Sequence, residues 1–271
     1  MPDIAAIDDA RQAYEAQGFA VVRQWLDRHA IEALEGEADR ILAQWMTANH
    51  AHYVAERLVN MHSLTDVRYF SDAGQRIRFF ELVASERLTS LVDGMFGGGI
   101  YFHNTQLFFN PHENSRLPYW HRDLQYSPIE DEAQAREQRN MLSLHVRIPL
   151  LPERGLEVIP GTHRRWDSEL EADVRRERNG RANSDALPGA KLISAEPGDV
   201  IIFDAQMIHR GNYALNPERK ALDLCVGRAH PIILRYLDAS VLPADDHLDR
   251  IRNNAWYQRA LQLVPEISGE R

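Results

Sequence analysis

At Gly97-Gly98-Gly99 the hydrophobic pattern of this chain changes period, and that switch limits the architectures open to it. Before it, apolar residues recur every three or four positions. Ile31, Leu34, Ala38, Ile41, Leu42 and Trp45 make one helical stripe within residues 30–48, and Phe79 to Phe96 predicts a second helix. After it come short β-type runs: Tyr101–Phe109, Met141–Leu150, Glu157–Ile159, Lys191–Ala195, Val200–Phe203 and Ala221–His230. Many short strands between Pro and Gly turns suggest a sandwich or barrel. Two long polar stretches, Pro128 to Asn140 and Trp166 to Gly189, break the strand rhythm and read as lids or binding loops. No repeat or linker divides the chain. Residues 1–271 are therefore expected to form a single domain: a helical front to about residue 99, a β core from about 100 to 235 and a helical tail from about 236.

Inside the β part, Tyr119-Trp120-His121-Arg122-Asp123 is answered by a later histidine in Ile202-Phe203-Asp204-Ala205-Gln206-Met207-Ile208-His209-Arg210-Gly211. Side chains alternate along a strand, so His121 and Asp123 would point to the same side and grip one ion. His209 would arrive on another strand, near the end of the apolar run Val200-Ile201-Ile202-Phe203. Two imidazoles and one carboxylate on one face of a metal, with the other face open, form the ligand set of non-haem Fe(II) sites. The bare pattern is common: 12 His and 40 acidic residues among 271 positions generate about two His-x-acid matches by chance. The chain has two. The second, His247-x-Asp249, is followed by no further histidine and reads as a solvated helix start. His62, His103, His112 and His163 have no partner at ligand spacing and read as surface or hydrogen-bonded residues.

A net charge of −9 argues against nucleic acid or an anionic membrane as the main partner. The single cysteine excludes an internal disulfide framework and suits a reducing, cytoplasmic compartment. In Leu222-Asp223-Leu224-Cys225-Val226 it reads as a small buried apolar residue. Met1-Pro2-Asp3 lacks a basic-then-apolar secretory pattern, and no apolar run approaches a membrane span. The basic run Arg175-Arg176-Glu177-Arg178, interrupted by an acid, reads as a solvated helix.

Several blocks, in order, resemble the phytanoyl-CoA dioxygenase family of Fe(II)- and 2-oxoglutarate-dependent oxygenases. They are Tyr14-Glu15-Ala16-Gln17-Gly18-Phe19-Ala20-Val21-Val22-Arg23, the helix from Ala30 to Leu42, Trp120-His121-Arg122-Asp123, Leu156-Glu157-Val158-Ile159-Pro160-Gly161-Thr162-His163, and Pro197-Gly198-Asp199-Val200 through His209-Arg210-Gly211-Asn212, with Arg219 ten residues after the distal histidine. Around Phe203-Asp204-Ala205 the chain is similar to ectoine-hydroxylase-type members. Two departures bear on substrate rather than on iron: Arg122 stands where Gln or Ser is commoner, and Pro152-Glu153-Arg154-Gly155-Leu156 is one residue tighter than usual.

The resemblance implies a mainly β fold with flanking α, a double-stranded β-helix (cupin-like jelly roll) behind N-terminal helices. It implies Fe(II) on His121, Asp123 and His209, with 2-oxoglutarate and O2 as cosubstrates. Hydroxylation of an unactivated C–H would then release succinate and CO2. Related halogenases have Gly or Ala in place of Asp123, so the carboxylate points to hydroxylation or a related oxidation. Arg219 matches the cation for the far carboxylate of 2-oxoglutarate, a role suited to a planar guanidinium, and Gln106 matches a polar cosubstrate contact.

Strand alternation supplies the remaining candidates. The phase that turns Gln106 inward also turns Asn104 and Phe108 inward, and an inward Arg219 brings Ala221, Asp223 and Cys225 with it. Leu142, Leu144, Val146 and Ile148 would pack beneath the front helices, leaving Ser143, His145 and Arg147 to line the barrel. Asn104, His145, Arg147 and Asp223 are therefore the expected substrate contacts. A buried His and Arg are costly unless they serve something, which suggests a small polar substrate carrying an acid or phosphate. The expected partner is thus a small molecule, with no nucleic acid, no membrane and no particular oligomer implied. Two other classes use the same residues: a non-catalytic jelly-roll binding protein, and a zinc-dependent hydrolase or isomerase with a metal-bound water. Neither requires 2-oxoglutarate.

Overall fold

Three of the front helices start at an aspartate that satisfies a free backbone N–H. Asp3 caps α1 (Ile4–Gln17), Asp27 caps α2 (Arg28–Glu56) and Asp72 caps α3 (Ala73–Val83), each accepting from the third residue on. The stripe Ile31, Leu34, Ala38 and Ile41 is buried on α2. The helix expected over Phe79 to Phe96 is two helices, α3 and α4 (Glu86–Phe96). The break falls at Ala84 (φ −107°, ψ 42°) and Ser85 (φ −58°, ψ 152°), where Asn253 Nδ2 donates to Ala84 O at 2.9 Å and takes the carbonyl out of a continuous helix. The structure, a computed structural model, describes residues 3–113 and 115–268.

Among the described residues nine strands follow the order β1 (Phe19–Val22), β2 (Asn60–His62), β3 (Ile100–Phe109), β4 (Ser143–Pro149), β5 (Glu153–Val158), β6 (Lys191–Ala195), β7 (Val200–Asp204), β8 (His209–Gly211) and β9 (Lys220–Arg228). They form two antiparallel sheets, β1-β7-β4-β9-β3-β2 and β6-β5-β8. This is the jelly-roll architecture with flanking helices that the resemblance implied. The short β1, β2 and β8 carry too little periodicity to stand out in the sequence. The last strand stops at Arg228 instead of His230, because the His230 side chain caps the short helix Pro231–Leu234.

The large sheet has two chemically distinct faces. Leu144, Val146, Ile148, Leu222, Leu224 and Val226 point outward and join the main apolar core with the front helices. Trp256 and Tyr257 of the terminal helix (Ala255–Ser268) belong to the same core. On the inner face Ile201 and Phe203 meet Leu156, Val158 and Ile193 of the small sheet. Fully burying each such side chain stabilises the fold by roughly 1.5–3 kcal/mol. Ser143, His145 and Arg147 share that inner face, the alternation the sequence predicted. Cys225 lies there too, half-buried beside Gln106 Nε2 at 3.6 Å, and is not the apolar core residue expected.

The two polar insertions are tied down. Pro128 to Asn140 contains a helix at Asp131–Glu137, and Trp166 to Gly189 contains one at Glu169–Arg175 with a complete Ser168–Glu171 capping box. Trp120 holds the second insertion, donating from N to Asn183 O and from Nε1 to Asp185 O, both at 2.9 Å. The basic run is not solvated as expected: Arg175 is buried against Asp167 and Gln125, and Arg176 pairs with Asp131 of the first insertion.

Tyr14 on α1 and Asp204 at the end of β7 join the front to the sandwich. Tyr14 Oη donates to Asp204 Oδ2 at 2.7 Å, Gln206 N donates to Asp204 Oδ1 at 2.7 Å, and Asp204 N donates to Gly18 O at 3.0 Å. Gly18 is the left-handed C-cap of α1 (φ 88°), and a Cβ there would stand 2.6 Å from His163 Nδ1. Burial pushes the Asp204 carboxyl up to about 6, against the opposing pull of its bonds from Tyr14 and Gln206.

A folded pKa above the unfolded value of about 4 makes the protonated native state the favoured one. The contribution is therefore whole below about pH 4 and lost as pH rises through about 6. Asp204→Asn keeps an acceptor for Gln206 N and offers Nδ2 as a donor to Tyr14 Oη, whose hydroxyl then accepts, without the titration. Between about pH 4 and 7, denaturant unfolding should show wild type losing on the order of 3 kcal/mol relative to this variant. Parallel curves would show that burial does not shift Asp204.

Candidate metal centre

His209 opens β8, and His121 pairs with it across an isolated antiparallel bridge, with mutual N–H···O bonds of 3.0 Å. The first histidine is thus held by a single bridge and not by the full strand expected. Asp123 departs further, since it begins a 3₁₀ turn (Asp123–Tyr126). The alternation survives because Arg122 between them is extended (φ −112°, ψ 145°) and Asp123 N donates to Ala205 O at 3.1 Å. The ligand atoms of His121, Asp123 and His209 all lie within 4.8 Å of one another. Asp123 Oδ1 stands 3.4 Å from His209 Nε2 and 3.7 Å from His121 Nε2.

The donor set suits a divalent ion. His121 Nδ1 lies 3.1 Å from Tyr119 O and His209 Nδ1 3.1 Å from Met207 O. A carbonyl only accepts, so each Nδ1 carries the hydrogen and each Nε2 keeps its lone pair toward Asp123. Burial lowers both imidazole pKa values, that of His209 to about 3 with His121 adding to the effect, which keeps them neutral. Asp123 is held well below the ordinary carboxylate range: burial alone would raise it, but His145, His209 and His121 outweigh that.

A buried polar chain runs from Asp123 into the sandwich. His145 Nε2 lies 2.7 Å from Asp123 Oδ2, and His145 Nδ1 lies 2.9 Å from Asp223 Oδ2. Both neighbours are carboxylates, so the ring donates on both sides, and it stacks on Phe203 at 4.8 Å and 9°. Burial opposes a charge on His145, yet Asp123 foremost holds its pKa well above the ordinary value. Asp223 also takes a bidentate pair from Arg147, Nε to Oδ1 at 2.7 Å and Nη2 to Oδ2 at 2.8 Å. Burial would raise the Asp223 carboxyl, but Arg147 and His145 bring it down to about 2. Arg147 Nη1 is buried without a hydrogen-bond partner, 3.8 Å from Glu153 Oε2. Glu153 Oε2 in turn accepts from Arg219 Nε at 3.1 Å.

These groups meet in one cavity of about 350 Å³. The triad, His145, Arg147, Gln106 and Arg219 all line it. Arg147 and Arg219 lie over the same Phe108 ring, at 4.4 and 5.2 Å, and Gly211 leaves the space that Arg219 Nη1 fills, since a Cβ there would stand 2.8 Å away. Two expected contacts stand differently. Asp223 has no exposed surface and both its oxygens are engaged inside the sheet, so it supports the wall without being part of it. Asn104 keeps regular pairing with Cys225 in phase with Gln106, yet it does not line the cavity, and its Nδ2 lies 3.3 Å from Ser63 Oγ. Asp223 engages Nε and Nη2 of Arg147 and leaves Nη1 without a partner on the cavity side.

Tyr119, Tyr126 and Tyr213 also line the cavity, as do Asn60 and His62. Tyr119 and Tyr213 flank the two histidines in sequence, the one signal that marked them. Glu153 offered none, because its partners come from other strands. Among the described residues, neither insertion lines this cavity. Arg122 points away from the metal side: wholly buried, it donates from Nε to Asp167 at 2.9 Å, to the carbonyls of Thr162 (2.7 Å) and Arg165 (3.1 Å), and to that of Gln206. This departure from the family pattern fixes the ligand segment to the following loop and does not touch the substrate side. His247, on a short helix (Asp245–Leu248), is not part of this group.

The sequence model of a family described as phytanoyl-CoA dioxygenase (PhyH) matches residues 14–221. The ectoine dioxygenase of Sphingopyxis alaskensis is 25% identical over 231 residues, covering 78% of this chain and 73% of that protein. Among solved structures, EctD from S. alaskensis with bound Fe superposes at a TM-score of 0.53 with 21% identity, over 80% of this chain and 75% of that one. The non-haem α-ketoglutarate-dependent epimerase SnoN from nogalamycin biosynthesis gives a TM-score of 0.57 with 18% identity, over 84% and 82%. At these identities the structural likeness establishes the fold.

Proposed function

This chain belongs to the phytanoyl-CoA dioxygenase family, and as a 2-oxoglutarate-dependent dioxygenase we propose that it hydroxylates an unactivated C–H of a small polar metabolite, releasing succinate and CO2. The observation that carries this reading is the clustering of His121, Asp123 and His209 in a cavity that also contains Arg219. His121, Asp123 and His209 would hold Fe(II), which together with 2-oxoglutarate and O2 would supply the oxidative chemistry. The protein's own residues do the rest. Neutral Nε2 atoms and one Asp123 oxygen would bind the ion, Arg219 would receive the far carboxylate of the cosubstrate, and Gln106 would add a polar contact. Phe108 and the three tyrosines narrow the space left to water and orient the substrate.

No helix among the described residues is long and apolar enough to cross a membrane. The lone cysteine, half-buried and reduced, fits a cytoplasmic enzyme. Fe(II)-loaded protein should convert 2-oxoglutarate to succinate in an O2-dependent way. A panel of neutral and charged polar metabolites, ectoine included, should contain one that accelerates this with equimolar hydroxylated product. Turnover with Zn(II) alone, or Fe(II)-loaded protein inert toward 2-oxoglutarate, would replace this reading with a hydrolase or a binding protein.

A further inference from the structure

The polar chain behind the cavity has one member that serves both of its ends. Asp223 Oδ2 accepts from His145, whose other nitrogen holds Asp123 Oδ2 and leaves Oδ1 facing the two ligand histidines. The two Asp223 oxygens also fix the Arg147 guanidinium, so that Nη1 is left as a buried, unpartnered donor in the cavity wall. That nitrogen is 3.8 Å from Glu153, the carboxylate that orients Arg219, and both arginines share the face of Phe108. Asp223 itself is wholly buried and touches neither site. Strand register makes this possible: Asp223 on β9 lies directly opposite Arg147 on β4, with His145 two residues along the same face.

We propose that Asp223 is a positioning residue that sets the metal ligand and the cosubstrate anchor together: through His145 it orients Asp123, and through Arg147 it presents a second guanidinium donor, Nη1, to the far carboxylate of 2-oxoglutarate beside Arg219. The inference rests on the proposed function for the identity of the cosubstrate. Outer partners of metal ligands contribute about 10–100-fold to metal affinity. A bond to a charged group that is lost from a buried site costs about tenfold to a hundredfold. The two ends should therefore be separable by variants on either side of Asp223 and inseparable at Asp223.

Anoxic calorimetry with Fe(II), and with 2-oxoglutarate at saturating Fe(II), tests this without turnover. His145→Phe, which keeps the stack on Phe203, should weaken Fe(II) by about 10–100-fold. It should leave 2-oxoglutarate within about twofold, the scatter of independent sites. Arg147→Met should do the reverse, weakening 2-oxoglutarate by about tenfold or more and sparing Fe(II). Asp223→Asn should weaken both. Asp223→Asn moving only one ligand, or neither, overturns the proposal. If Asp223→Asn does not fold, the single variants decide: each moving its own ligand alone supports it, and Arg147→Met with wild-type 2-oxoglutarate affinity overturns it. Wild-type protein that binds Fe(II) but not 2-oxoglutarate would instead sink the proposed function.

Discussion

Alanine in place of His121, Asp123 or His209 should abolish coupled 2-oxoglutarate turnover and leave the chain folded. Each ligand histidine makes one local bond inside the protein, from Nδ1 to the carbonyl two residues back at 3.1 Å. Losing it costs about 1 kcal/mol, small beside a stability of roughly 5–15 kcal/mol. The metal loses far more, since even outer partners are worth about 10–100-fold in affinity. Asp123→Ala also strips an acceptor from His145 Nε2, so Asp123→Asn is the gentler companion. Anoxic Fe(II) titration by calorimetry, with thermal melts alongside, checks the prediction. Unchanged iron affinity in any one variant would remove that residue from the ligand set.

Alternation along single strands is legible in the amino-acid sequence, and it accounts for most of what the sequence reveals about the site. The split of β4 into an apolar face under the helices and a His145/Arg147 face toward the cavity follows from period two alone. So does the inward Gln106. What alternation does not encode is register between strands. That Asp223 lies opposite Arg147, and that Glu153 reaches Arg219, depends on pairings between residues 76 and 66 positions apart. A charged residue therefore reads as facing a ligand when it faces another strand, as with Asp223, whose two oxygens are bonded to Arg147 and His145.

The same limit applies to two arginines outside the cavity. Arg122 and Arg175 look like solvent-facing or substrate-facing cations, yet both converge on Asp167 in a wholly buried cluster. Buried guanidinium groups of this kind demand every donor satisfied, and Arg122 meets that demand with three carbonyls and a carboxylate. Asn104 departs for a different reason: it keeps the phase of Gln106, but its side chain meets Ser63 Oγ at 3.3 Å and it does not line the cavity.

Arg219→Ala should raise the 2-oxoglutarate requirement by about one to three orders of magnitude, because losing a charge-assisted pair in a dry pocket costs roughly 2–5 kcal/mol. Fe(II) binding should survive, since Arg219 contacts Glu153 and the rings of Phe108 and Tyr213 and no ligand of the triad. The substitution has a second consequence. It leaves Glu153, which is buried, with Asn216 Nδ2 and Gly155 N as hydrogen-bond donors and Arg147 at 3.8 Å. Some loss of stability is therefore expected as well. Pairing Arg219→Met with Glu153→Gln removes both charges together and isolates the cosubstrate effect from that cost. Arg219→Lys keeps the charge but loses the planar fork, and should fall between alanine and wild type. The measurement is the 2-oxoglutarate dependence of succinate formation, with anoxic Fe(II) affinity as the control. A double variant with wild-type 2-oxoglutarate dependence would move the anchor to Arg147, the cation on the other side of Phe108.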